Sequence, residues 1–174
     1  YNDPGTPVTE KNKYDRNSIR LVNGTQMLMR GAGSSPKGNL PFLSTFDINT
    51  KESKMLWRCE SPYYESVVSV VDFDKLQVIT SRQSQAETPN YQLRDLVNNS
   101  IKAITNFPDP QPALRGVTKQ KITYKRKDGV DLAADLYLPK GYDAQKDGPL
   151  PVFMWAYPRE FKSASDAAQI RGSS

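Results

Sequence analysis

The sequence predicts a mainly β chain: the last blades of a β-propeller over residues 1–113, then the opening strands of a mixed α/β sheet over 114–174. Three observations carry this expectation. Short strand-like runs alternate with turn residues from about residue 18 to 105, with no sustained helical period. The same residues recur at a fixed spacing: Asp47 to Asp95 is 48 positions, and so is Lys54 to Lys102. Beyond the proline-rich stretch 106–116 the pattern changes to two long amphipathic runs and one wholly apolar run.

The candidate strands of the first part are Ile19–Val22, Gln26–Arg30, Phe42–Ile48, Lys54–Cys59, Val67–Phe73, Leu76–Ser81, Tyr91–Val97 and Ile101–Thr105. The breaks carry turn chemistry: Asn23-Gly24, Gly31 to Gly38 with Pro36, Asn49-Thr50, Asp74-Lys75 and Asn98-Asn99. Val67, Val68, Val70, Val71, Val78 and Ile79 supply the β-branched bulk that pleated sheets favour. Four strands at a period near 48 residues is the signature of propeller blades. About two blades fit this length and a closed propeller needs at least four, so the others are expected upstream. Two unrelated hairpin pairs with matching turns are the alternative.

Asn106–Gly116 holds Pro108, Pro110 and Pro112 and reads as a semi-rigid connector, with the boundary near residue 113. Lys119, Lys121, Thr123, Lys125 and Lys127 then share one face of a strand and Ile122 and Tyr124 the other, so the basic cluster is expected as a solvated face. Asp128-Gly129 is a hairpin signal. In 131–138, Leu132, Ala134, Leu136 and Leu138 are expected to face inward. After a polar loop, Pro151–Ala156 is apolar throughout, as for a parallel strand buried on both faces. Ser163 to Asp166 reads as a helix start. A half-exposed hairpin followed by a buried strand is how an α/β-hydrolase sheet begins.

Composition narrows the chemistry. The chain has 174 residues and no histidine, so it holds no Ser-His-Asp triad. It begins at Tyr1 rather than Met and stops at Ser174, and both ends are expected to be cut. One cysteine, Cys59, rules out an internal disulfide and a Cys/His zinc cluster; it is expected as a small buried side chain in a strand. No cofactor is implied. The 24 Lys and Arg against 19 Asp and Glu give a net charge of +5, but the cations are scattered, which argues against a nucleic-acid partner. No apolar run approaches membrane-spanning length, and no membrane partner is expected. The compartment is left open, with a periplasmic or secreted one favoured for a bacterial source. The Gly31–Ser35 cluster lacks the spacing of a G-x-S-x-G nucleophile elbow and is expected as a loop.

Ligands of open α/β sheets bind beyond the carboxyl ends of the strands. Tyr157 follows the apolar run and is a candidate oxyanion-hole donor, a group worth about 3–4 kcal/mol to a tetrahedral intermediate. A packed strand-end tyrosine is its alternative. Arg159 is a candidate for an acidic substrate side chain, or else a local partner of Glu160.

The segments Asp128-Gly129-Val130, Leu136–Tyr142, Gly148–Val152 and Trp155–Lys162 resemble the prolyl oligopeptidase family of serine peptidases, most nearly its glutamyl endopeptidase branch. Tyr1–Pro7, Pro41–Leu43 with Phe46-Asp47, and Ile104–Pro108 fit the same branch. The resemblance implies a propeller joined to an α/β-hydrolase domain, with peptide substrates and cleavage after acidic residues. It also implies that Tyr157 is the oxyanion donor. The nucleophile, Asp and His would lie beyond residue 174, so the fragment alone is expected to be inactive and to need the rest of its own polypeptide. A non-catalytic β-rich module for peptides or glycans is the second reading, and exposed strand edges offer a route to self-association.

Overall fold

A computed structural model describes residues 3–35 and 38–156. The described residues are mainly β, as expected, and hold no α-helix. The first sheet is built on β1 (Thr6–Pro7), β4 (Leu21–Val22), β5 (Gln26–Gly31), β8 (Phe42–Asp47) and β9 (Ser53–Arg58), all antiparallel. Both β1 and β4 lie along one edge of β5: Pro7 faces Met29, Val8 N donates to Leu28 O at 2.8 Å, and Leu21 faces Met27. They are therefore one edge strand interrupted by a hairpin, β2 (Thr9–Lys11) with β3 (Asn17–Ile19). A second small hairpin, β6 (Ser34–Ser35) with β7 (Gly38–Asn39), fills the connection between β5 and β8. Gly33 leads into it at φ +63°, where any Cβ would collide with the Leu40 carbonyl.

The second sheet is a plain meander of β10 (Tyr64–Asp72), β11 (Gln77–Gln83), β12 (Asn90–Asp95) and β13 (Ser100–Ala103). Both sheets thus have the four-strand order of propeller blades, and β8 and β12 match the 48-residue repeat at both ends. The repeat has a chemical basis in the turns. Asp47, Asp72 and Asp95 each end a strand, and each Oδ1 accepts the backbone N–H groups two and three residues on. Four residues after each stands a non-glycine residue with positive φ: Lys51, Leu76 and Asn99. Asx turns of this kind close hairpins because the carboxylate replaces a backbone acceptor.

The core lies between the sheets. Val8, Val22, Leu28, Leu43, Phe73 and Val78 form one buried cluster, with Leu56, Trp57, Val67 and Leu96 packed around it. Arg30 of β5 donates to the Val67 and Val68 carbonyls of β10, and Arg20 reaches Asp74 at 2.8 Å. Among the described residues one carboxylate is carried into the packed face. Glu65, 2% exposed, takes two bonds from Arg94 (2.6 and 2.7 Å) and one from the Thr80 hydroxyl (2.5 Å), while Arg94 lies 5.2 Å from the Trp57 ring.

The connector is less uniform than expected. Its start is fastened to β12: Asn90 Oδ1 accepts from Thr105 Oγ1 (2.8 Å) and Phe107 N (2.6 Å), and Phe107 meets Tyr91 edge-on. A 3-10 turn follows at Pro112–Leu114.

The hairpin after it forms as expected, β14 (Thr118–Lys125) against β15 (Asp131–Leu138). Two expectations about it are corrected. The lysine face is not simply solvated, because Asp135 pairs with Lys121 at 2.5 Å and with Lys119 at 3.7 Å, leaving these side chains 15% and 22% exposed. The apolar face is the open one: Ile122, Tyr124 and Leu136 are exposed. The run 151–156 is corrected as well. It forms no strand, and Val152, Phe153, Met154 and Trp155 are 78–92% exposed. A parallel strand needs hydrogen-bonding neighbours, and β14 and β15 pair only with each other among the described residues.

Candidate binding cleft

A cleft of about 690 Å³ opens where three connections meet. Asn39 and Leu40 come from the approach to β8. Arg58 to Tyr64 form the crossover from the first sheet to the second, and Gln83 to Gln85 come from the end of β11. Lys119 of β14 adds a wall from beyond the connector. The loop at residues 83–85 also borders a smaller cavity of about 270 Å³ against Asp109–Gln111 and Leu114–Arg115.

The crossover is held at both ends. Cys59 is buried as expected but stands one residue past β9 rather than in a strand; its thiol donates to the Tyr63 carbonyl at 3.0 Å and its sulfur accepts the Glu65 N–H at 3.1 Å. The crossover thus folds back on its own cysteine. Burial pushes the Cys59 thiol pKa up, so it stays protonated and serves as a structural donor. Tyr63 stacks under the Arg82 guanidinium (4.4 Å) and its hydroxyl donates to Glu87 at 3.3 Å, which fixes that ring as a wall. Arg82 also reaches Glu87 at 3.5 Å.

Arg58 is different. Among the described residues its one side-chain hydrogen bond is Nη2 to the Gly33 carbonyl at 3.3 Å, and it has no carboxylate partner. Glu60 lines the same cleft yet forms no ion pair with it. A guanidinium with spare donors on the wall of a polar and aromatic cleft is suited to an anionic or carbonyl-rich ligand. No group of His, Cys, Asp and Glu suited to holding a metal occurs among the described residues.

The sequence candidates Tyr157 and Arg159, and the helix start at Ser163, lie outside the described residues. The cleft residues were missed by sequence reading because it sits at strand ends, where period carries no signal. The available sign was the cluster of aromatic, proline and charged residues in Trp57–Tyr64 between two valine-rich strands.

Two blade-type sheets with a cleft at their strand ends, followed by a separate hairpin, define a propeller-like β protein. Comparison with known proteins gives relatives over nearly the whole chain. It is 42% identical to the probable chloroplastic glutamyl endopeptidase of Arabidopsis thaliana and 41% identical to that of Oryza sativa subsp. japonica. Each alignment takes in 99% of this chain and 20% of the relative, so the chain spans about a fifth of the curated relatives it matches. Among solved structures, a puromycin hydrolase aligns over 70% of this chain and 17% of its own, with 17% identity and a TM-score of 0.40. No family model matches the chain.

Proposed function

We propose that this chain is part of a serine peptidase of the prolyl oligopeptidase family, with residues 1–113 as its last propeller blades and 114–174 as the start of its α/β-hydrolase domain. The observation that carries the reading is the 42% identity, along 99% of the chain, to a protein named as a glutamyl endopeptidase. The uncovered apolar surface after the connector (Ile122, Tyr124, Leu136 and Val152 to Met154) supports it, being the surface that the rest of the same polypeptide would cover. The substrates are peptides, cut by acyl transfer after acidic residues, and Tyr157 is the oxyanion donor. Arg159 remains a candidate contact for the acidic side chain. The 174-residue fragment is inactive, because a chain without histidine lacks the base that activates a serine.

The test is turnover of a glutamate-containing chromogenic peptide by the full-length gene product and by the fragment. Activity in the first and none in the second is expected, and Tyr157→Phe in the full-length protein lowers kcat by about 10²–10³ with little change in KM. A full-length protein without turnover on any peptide refutes the reading. The cleft, built from connections at the strand ends, favours one alternative: a non-catalytic module that binds peptides or glycans and hydrolyses nothing.

A further inference from the structure

We propose that the cleft bordered by the Arg58–Tyr64 crossover is a subsite for a peptide carboxylate, with the Arg58 guanidinium as its anion-binding group. The inference rests on the peptidase reading for its substrate class, and on the geometry for its position.

Arg58 stands apart from the other arginines near this end of the sheets. Arg94 is spent on Glu65, Arg82 on Glu87 and Tyr63, and Arg115 on Asp109. Arg58 keeps one long bond to the Gly33 carbonyl, which orients the guanidinium without neutralising it. That carbonyl is itself fixed, since Gly33 O also accepts the Leu40 N–H at 2.9 Å. The remaining donors of the fork match two carboxylate oxygens, which is the geometry guanidinium groups bind best.

The surroundings favour a peptide. Leu40, Pro62, Tyr63 and Tyr64 offer apolar surface for the chain on either side of the anion, and Asn39, Ser61, Ser84 and Gln85 offer bonds to its amides. A volume of about 690 Å³ is within the range of small-ligand sites and admits only a short stretch of peptide. Lys119, which pairs with Asp135 at 3.7 Å, borders the cleft from β14. Because β14 follows the connector, a ligand seated here touches both parts of the chain.

A carboxylate can be a side chain or a peptide C-terminus, and the two are separable. The full-length gene product and its Arg58→Ala and Arg58→Lys variants are titrated by calorimetry with three peptides: one with an internal Glu and an amidated end, its Gln counterpart, and the Gln peptide with a free C-terminus. The wild type is expected to bind a carboxylate-bearing peptide more tightly than the amidated Gln peptide. Arg58→Ala is expected to remove roughly tenfold to a hundredfold of that preference while leaving the amidated Gln peptide unchanged. Arg58→Lys is expected to restore part of it. Preference for the internal Glu assigns a side-chain subsite; preference for the free end assigns a terminus subsite. Equal binding of all three peptides by the wild type, or an equal loss on all three in Arg58→Ala, overturns the proposal. Turnover measured in parallel keeps the two readings apart: carboxylate-selective binding without hydrolysis defeats the peptidase reading and leaves the subsite standing, and hydrolysis indifferent to Arg58 does the reverse. Arg58 is exposed at the end of an edge strand, so its replacement leaves the core intact.

Discussion

Replacing Glu65 with leucine is expected to loosen the second sheet. The side chains of Glu65 and Arg94 are 3% and 13% exposed, and the carboxylate accepts two guanidinium bonds at 2.6 and 2.7 Å. Removing one member strands the other charge in the packed face. Such a break costs about 3–5 kcal/mol, whereas replacing both members with apolar groups is often neutral. The loss of the 2.5 Å bond from Thr80, which is fully buried, adds to the cost. The assay is hydrogen exchange of the full-length gene product, read on peptides covering residues 64–95. At about 1.4 kcal/mol per decade, Glu65→Leu raises the exchange of the slowest β10–β12 amides by roughly two to three and a half orders of magnitude. Glu65→Leu with Arg94→Leu returns most of that protection, giving a coupling energy of several kcal/mol. A single variant within about 1 kcal/mol of wild type, or a double variant no better than the single, refutes the claim that this pair is desolvated and mutually dependent.

Three further outcomes follow from the turns and the connector. Lys51 (φ 64°) is exposed, so Lys51→Gly is expected to stabilise by about 1 kcal/mol by removing left-handed strain; Leu76 (φ 51°) packs on the core, so Leu76→Gly is expected to destabilise, both read by urea unfolding. Asn90→Ala removes the acceptor of Thr105 Oγ1 and Phe107 N and is expected to speed amide exchange at residues 104–107 about tenfold or more, with little effect on β10–β11. The Asp47 carboxyl is held below the usual carboxylate range by the Thr25 hydroxyl and then its turn amides, Asp72 mainly by the Lys75 N–H, and Asp95 mainly by the Asn98 N–H. Bonds from Arg126 bring Asp128 down to about 2. Since the folded pKa values are depressed, these turns stabilise fully above the unfolded value of about 4 and lose that contribution as pH falls through the folded values. Carboxyl carbon NMR titration checks this: midpoints at or above about 4 for these groups contradict it.

What the sequence made legible follows from where the information is local. Turn chemistry and alternation are local, so β15 falls where expected at Asp131–Leu138, and the 48-residue spacing coincides with β8 and β12. The split edge strand was not legible. Ile19–Val22 reads as one strand, yet Arg20 divides it, leaving Ile19 to pair with Thr9 and Leu21 with Met27. An apolar run does not say which partner each residue meets. The run 151–156 fails for a related reason, since composition records a demand for cover and the cover must come from elsewhere in a fold.

The same reasoning explains why the cleft escaped sequence reading while the core did not. Val78 is recognisable because burial along β11 repeats with the strand period. Arg58 is defined by what it lacks: in the sequence it is one cation among 24, and only the packing shows which cations are already matched to carboxylates. Arg82, Arg94 and Arg58 all stand on strands, and the first two find acidic partners, Arg82 at Glu87 in the β11–β12 connection and Arg94 at Glu65 across the sheet. The third stands on β9, the edge strand among the described residues, where no further described strand supplies a partner. Edge position leaves its guanidinium open to solvent, and the β9–β10 crossover then turns that opening into a walled cleft. The asymmetry of the sheet thus selects which arginine is left for a ligand, and that selection is nonlocal information that no window of residues contains.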